Sequence, residues 1–309
     1  MTKSFITDIK KYYFDGFDSL SLQHQFHFAS RLGAWNGLPL ACKKLDDIKI
    51  KYSTPPDNQT EQKYLRHLLS APQTGRRVAH NQRKPYFEKY PELFGIEKAL
   101  FRVRHLLTVY NIDVRKDFIT VYSTASLRKI LEELSSDSEA LRILSSFAVN
   151  VFYLADILFD IHITAVTANF WYTTGLSYSF DTNESIQLFI YFYTHCIIAD
   201  SNFYSRSIST ENQIIYTKMI LRLEEVIEAH FERISLDNKL EFLVATKVIG
   251  SLSSLETRIH NEASQSISDN GFFIIEKLNE NVRQDRQTFE KSEHRNVLLI
   301  MSDESYQRA

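Results

Sequence analysis

Three features of this 309-residue sequence predict an all-α fold. All six prolines (39, 55, 56, 72, 85 and 91) fall within the first 91 residues. Only eight glycines are present, and beyond Gly95 only Gly175, Gly250 and Gly271 interrupt the chain. Proline breaks helix interiors and glycine weakens them, so this distribution permits long helices. The segment 211–234 also carries Ile215, Met219, Leu223, Val226, Ile227, Phe231 and Ile234 at helical spacing, with Glu224, Glu225, Glu228 and Glu232 on the other face. That is the pattern of an amphipathic helix against a core.

From the N-terminus, helices are expected over 2–14, 21–34, 38–50 and 59–70, the last two parted by the turn-prone run 53–58 with its Pro55-Pro56 pair. His24 and His27 share a face of the second helix by their i,i+3 spacing, and Phe26 and Phe28 mark that helix as packed. Residues 71–95 hold three prolines and two glycines and are expected to form one long loop. Helices follow over 97–110 and over 117–134, the latter with Asp117 as its N-cap. The run Ser136-Asp137-Ser138-Glu139 reads as a capping box opening 137–159. A helix over 161–174 comes next, and Asp181-Thr182-Asn183-Glu184 opens one over 184–201. The amphipathic segment 211–234 is followed by 237–249, by 253–267 behind Ser253-Ser254-Leu255-Glu256, and by a broken helix over 272–301. The expected architecture is about twelve helices in a multi-helical bundle or array.

Composition narrows the function classes. With 44% apolar and 24% charged residues, the chain is neither collagen-like nor wholly disordered. Neither GxGxxG nor GxxxxGK[ST] occurs, which sets nucleotide-binding α/β folds aside. Two cysteines, Cys42 and Cys196, make neither a disulfide scaffold nor a zinc finger. The first residues, MTKSFITDIKKYYF, lack the apolar core of a signal peptide, so a cytoplasmic location is expected. The apolar stretch 143–172 is interrupted by Asn150, Asp156, Asp160, His162 and Asn169, which favours a buried central helix over a membrane span.

Charge divides the chain. Residues 1–95 carry a net charge of +6 and residues 96–309 a net −8, so a basic N-terminal part precedes an acidic helical body within what is expected to be one compact unit. Arg76, Arg77, Arg83 and Lys84 form the expected anion-binding group of the loop, a place for an anionic ligand or a protein partner. Aromatic interleaving is thin there, with only Tyr86 and Phe87 following, so no strong nucleic-acid signal arises. The Arg-to-His spacing of small helical ribonucleases is also absent.

Several polar residues in apolar surroundings could carry chemistry. Asp156 and Asp160 share a helix face, and carboxylates four residues apart can hold a Mg²⁺-diphosphate, as in prenyl transfer. His162 follows closely, and His195 and Asp200 bracket an apolar turn, so these five are the candidate catalytic residues. Glu256 with His260, and Glu290 with His294, place a carboxylate and an imidazole on one helix face and are the candidate metal ligands of a haem-oxygenase-like di-metal oxidase. Each set has an ordinary structural explanation as well: i,i+4 surface pairs, or core groups satisfied by tyrosine hydroxyls. The leading expectation is a helical binding or scaffold protein that presents the basic loop or an inter-helix groove. An all-α enzyme with a buried carboxylate/histidine site is the alternative. Neither a cofactor nor an individual partner is specified by the sequence.

Overall fold

The computed structural model describes residues 2–52, 57–70, 81–269, 271–276 and 288–307. Among them are sixteen α-helices, three short 3-10 turns and no strand; one isolated bridge joins Ile267 to Ile274. The all-α class holds, with more and shorter helices than the sequence suggests.

The chain forms two compact units. Unit 1 comprises residues 1–48 and 201–309, and unit 2 comprises 49–200. The charge boundary at residue 95 and these contact boundaries therefore cut the chain at different places.

In unit 1, α1 (Thr2–Asp15), α2 (Leu22–Asn36) and most of α3 (Pro39–Tyr52) come from the first segment. The second supplies α13 (Thr210–Ala229), α14 (Leu236–Val248), α15 (Glu256–Gln265) and α16 (Glu293–Asp303). The centre is α16, which packs on α1, α2 and α14. Its residues Val297, Leu298, Leu299, Ile300 and Met301 are all fully buried. A helix apolar on every side must be surrounded, and here three helices surround it. The turn after α2 uses Gly37 at φ 63°, a left-handed conformation that costs glycine little.

Unit 2 holds α4 (Asn58–Ser70), α5 (Lys84–Lys89), α6 (Pro91–Tyr110), α7 (Arg115–Val121), α8 (Thr124–Ser135), α9 (Ser138–Leu144), α10 (Ser146–Phe159), α11 (Ala168–Gly175) and α12 (Asn183–Asp200). Its spine is α10, packed between α6 and α12. Phe189, Ile190, Phe192 and Tyr193 of α12 and Leu93, Ile96, Leu100 and Val103 of α6 fill the core. Close approach of α4 to α6 occurs at Gly95, where an added Cβ would stand 2.8 Å from the Leu68 carbonyl.

The expected elements are corrected at five places. Residues 81–95 are largely helical, because Pro85 and Pro91 sit in the first turn of α5 and α6, where a missing N–H costs nothing. The span 117–134 is two helices, and Asp117 is a buried first-turn residue of α7 that accepts from Gln62 Nε2 at 2.9 Å, not an N-cap. The span 137–159 breaks at Ser145 (φ 54°) into α9 and α10, bent by 101°. Its cap is Asp137, which accepts from Ala140 N at 3.0 Å, while Ser136 Oγ donates back to the Glu132 carbonyl. In 161–174 the helix starts only at Ala168, and in 272–301 the described helix starts at Glu293.

Among the described residues no single helix is long and apolar enough to cross a membrane. The bent pair α9–α10 meets that length and composition only jointly, and most of α10 is buried within unit 2.

Serine caps start α13 and α14: Ser209 Oγ accepts from Asn212 N and Ser235 Oγ from Asn238 N. Alanine at either position is expected to lower stability by about 1 kcal/mol, measured by urea unfolding.

Candidate functional site

A group of ionisable side chains in unit 1 meets where α16 begins. Ser292, Glu293, His294 and Arg295 form the polar head of an otherwise apolar helix, and α2 and α14 bring further charges to it. Glu293 is 1% exposed and both its carboxyl oxygens lie on His27 Nδ1, at 2.7 and 2.9 Å. The His27 side chain remains 29% exposed. Its ring stacks on His294, with centroids 5.4 Å apart and an interplanar angle of 26°. His294 Nδ1 in turn faces Asp237 Oδ1 at 3.7 Å, and Asp237 accepts from Arg295 at 2.7 Å. One helical turn along α2, His24 lies 3.2 Å from Glu290, which also accepts from Ser21 N at 3.1 Å.

Electrostatics separate these groups. Burial pushes the Glu293 carboxyl up to about 8, with Arg31 pulling the other way. Enclosure, together with Arg31, His294 and His24, holds the His27 imidazole well below its ordinary value. Around neutral pH both members of the Glu293–His27 pair are therefore held in their neutral forms. Asp237 behaves oppositely. Burial acts to raise it, but Arg295 and His294 outweigh burial and hold it near 2.

Unit 2 has a second buried polar chain. Asn150 on α10 donates Nδ2 to Glu97 at 3.1 Å, and its Oδ1 lies 3.1 Å from His195 Nδ1. Burial raises the Glu97 carboxyl to about 8, with Asn150 and Arg83 opposing. An amide can donate to one neighbour and accept from the other, which satisfies both in the core.

The sequence-derived candidates scatter. Asp156 and Asp160 are not buried: Asp160 is the exposed C-cap of α10 at φ 56°, and Asp156 faces His162 Nδ1 at 3.8 Å where both side chains are substantially exposed. His195 joins the Asn150 chain, and Asp200 is buried at the end of α12, where its charge raises the Cys196 thiol that burial already lifts. The four candidate metal ligands do not converge: Glu290 and His294 lie in the cluster at the start of α16, and Glu256 and His260 lie elsewhere on α15. Glu256 pairs with Lys247 at 3.1 Å, His260 Nε2 meets Ser302 Oγ at 2.9 Å, Glu290 binds Ser21, and His294 stacks on His27. Among the described residues no three His, Cys, Asp or Glu side chains converge on a metal position. Of the anion-binding group, Arg76 and Arg77 lie outside the described residues. Lys84 is exposed beside Glu88 at 3.9 Å. Arg83 is a core residue, 3% exposed, with its guanidinium 4.8 Å from the Phe147 ring and Nε donating to the Ile143 carbonyl at 3.2 Å.

Sequence reasoning missed Glu293, Glu97 and Asn150. The i,i+3 spacing of His24 and His27 and the Glu290/His294 pair were visible, but nothing local in the sequence shows that these two helix faces meet.

Unit 1 also bears a groove of about 350 Å³, lined by Ile6, Lys10, Phe14, Leu38, Leu40 and Glu304 with Thr7, Lys11, Asp15 and Asp303 beside them. Lys10 donates to Glu304, and Lys11 to Asp15.

Fold and site together define an all-α protein of two units, one of which carries a part-exposed imidazole pair backed by a buried carboxyl. The chain matches no protein-family model, no curated protein and no solved structure.

Proposed function

We propose that the chain is a helical binding protein whose ligand occupies the unit 1 groove formed by α1, the turn between α2 and α3, and the end of α16. The observation that carries this reading is the lining. A volume of about 350 Å³ suits a small molecule. Ile6, Phe14, Leu38 and Leu40 offer apolar surface, and Leu40 is exposed. Both lysines are already engaged by Glu304 and Asp15, whereas Asp303 has no ion pair among the described residues. Two lysines against three carboxylates leave the lining one charge negative. The complementary ligand is a small amphipathic cation, with an apolar body against the leucines and an ammonium toward Asp303.

Fluorescence titration with a dansyl-labelled hexylamine tests this, with a dansyl-labelled hexanoate as counterpart. Saturable binding of the amine is expected, weakened about tenfold by Asp303→Asn, a loss of about 1.4 kcal/mol, and abolished by Leu40→Glu. Equal affinity for both probes, or amine binding indifferent to both substitutions, rejects the reading.

A further inference from the structure

We propose that His27, held by Glu293, is a general base on the surface of unit 1, and that its substrate class is the oxygen ester. This site lies at the opposite end of α16 from the groove and does not rest on the ligand proposed there.

Three geometric facts carry the inference. The Glu293 carboxyl is buried behind the imidazole and engages Nδ1 with both oxygens, which fixes the ring's orientation. The ring is itself part-exposed, and among the described residues no hydrogen bond engages its Nε2. A second imidazole, His294, stacks alongside and faces its own carboxylate, Asp237. A buried carboxyl that orients a part-exposed imidazole through Nδ1 is the arrangement general-base catalysis uses.

The charged and titratable groups around His27 come from every element packed on it. Tyr13 stands on α1, His24 and Arg31 on α2, Asp237 on α14, Glu290 before α16, and Glu293, His294 and Arg295 on α16. Tyr13 Oη donates to the Phe289 carbonyl at 2.9 Å and so is committed to structure. Cys42 is on α3 and Cys196 is buried in unit 2, so no thiol joins the pair as a nucleophile. The nucleophile within reach of a base acting alone is water, and the bond such a pair can cleave is that of an ester with a good leaving group rather than an amide.

His27 Nε2 takes a proton from water as the water oxygen bonds to the ester carbonyl carbon. Nδ1–H is held by the Glu293 carboxylate, which offsets the imidazolium charge. Collapse of the tetrahedral adduct breaks the bond from the carbonyl carbon to the alkoxy oxygen, and Nε2–H returns its proton to that departing oxygen. One water and one ester give one carboxylic acid and one alcohol. Glu293 is a positioning residue, since its carboxyl acts on the reaction only through the His27 ring it holds.

The test uses the full chain and p-nitrophenyl acetate from pH 6 to pH 9. Hydrolysis is expected to exceed that of His27→Gln at least tenfold and to rise through about pH 8, where Glu293 ionises. Glu293→Gln is expected to lower kcat with KM held and to remove that rise, whereas His67→Gln, on α4 of unit 2, changes neither. As a check on the folded wild-type chain, diethyl pyrocarbonate is expected to abolish hydrolysis in step with modification of His27 and not with modification of His24 or His294. A rate unchanged in His27→Gln overturns the proposal, as does preferential modification of His24 or His294 with hydrolysis lost.

Discussion

Gly175→Ala is expected to destabilise unit 2 by about 3 kcal/mol. At an ordinary helical position the same change stabilises by up to about 1 kcal/mol, because alanine is the better helix former. Here the sign reverses. Gly175 ends α11, and a Cβ added there would stand 2.0 Å from Tyr193 Cε1 and 2.5 Å from its hydroxyl. Tyr193 cannot retreat: it is fully buried on α12, stacks on Tyr172 and donates its hydroxyl to the Tyr172 carbonyl at 2.7 Å. One methyl group would therefore force α11 off α12. Urea unfolding followed by Trp171 fluorescence measures the loss, because Trp171 is buried on α11. In a Tyr193→Ala background the glycine substitution is expected to cost almost nothing further, since the colliding ring is gone. A full cost in that background would place the strain elsewhere.

The second large effect is on pH dependence. Glu293 in unit 1 and Glu97 in unit 2 both titrate near 8 when folded, against an ordinary carboxylate value of 4.5. A carboxyl that binds its proton more tightly when folded stabilises the fold below its unfolded value, and that contribution is lost as pH rises through its folded value. Each is thus expected to lose stability progressively from about pH 4.5 to above pH 8. His27 has the opposite sign. Held low when folded, it favours the fold above its ordinary value of 6.5, and stability falls as pH drops below that. The two slopes oppose each other under acidic conditions, and above about pH 6.5 only the carboxyl slope remains. Between pH 6.5 and 9 a loss of about 2 kcal/mol per unit is expected. Trp35 reports unit 1 and Trp171 unit 2, both in the core. Glu293→Gln is expected to flatten the Trp35 profile alone and Glu97→Gln the Trp171 profile alone. Profiles insensitive to either substitution would show these carboxyls to be ionised in the fold at neutral pH.

Legibility in the sequence followed the range of the physics involved. The all-α class follows from where proline and glycine are absent, a property readable one residue at a time. The stripe of 211–234 is also local: Met219, Leu223, Val226 and Ile227 are buried on α13 as the periodicity predicts and Ile215 is half-buried, but the helix ends at Ala229, and Phe231 and Ile234 are buried beyond it in a 3-10 turn and an extended residue. Helix ends were less legible where two rules compete. Pro85 and Pro91 look like loop signals, yet each starts a helix, because proline's cost depends on its position in the turn. Ser145 gives no sequence sign that α9 and α10 part there. Least legible was which polar residues are buried. Asp156 and Asp160 lie among apolar residues in sequence but face outward at a helix end, whereas Glu97 and Glu293 sit in unremarkable polar contexts and are enclosed by helices distant in the chain.

The interleaving of the two units has a consequence for the chain during its own synthesis. Unit 2 is one continuous segment and can fold as soon as residue 200 has emerged. The first 48 residues belong to a unit whose central helix, α16, begins only at residue 293. At ~5–20 residues per second, α1 and α2 wait ~10–50 s for the helix that covers their apolar faces. During that interval Phe28, Leu32 and Trp35, buried in the finished fold, are uncovered on the nascent chain and open to association with other chains.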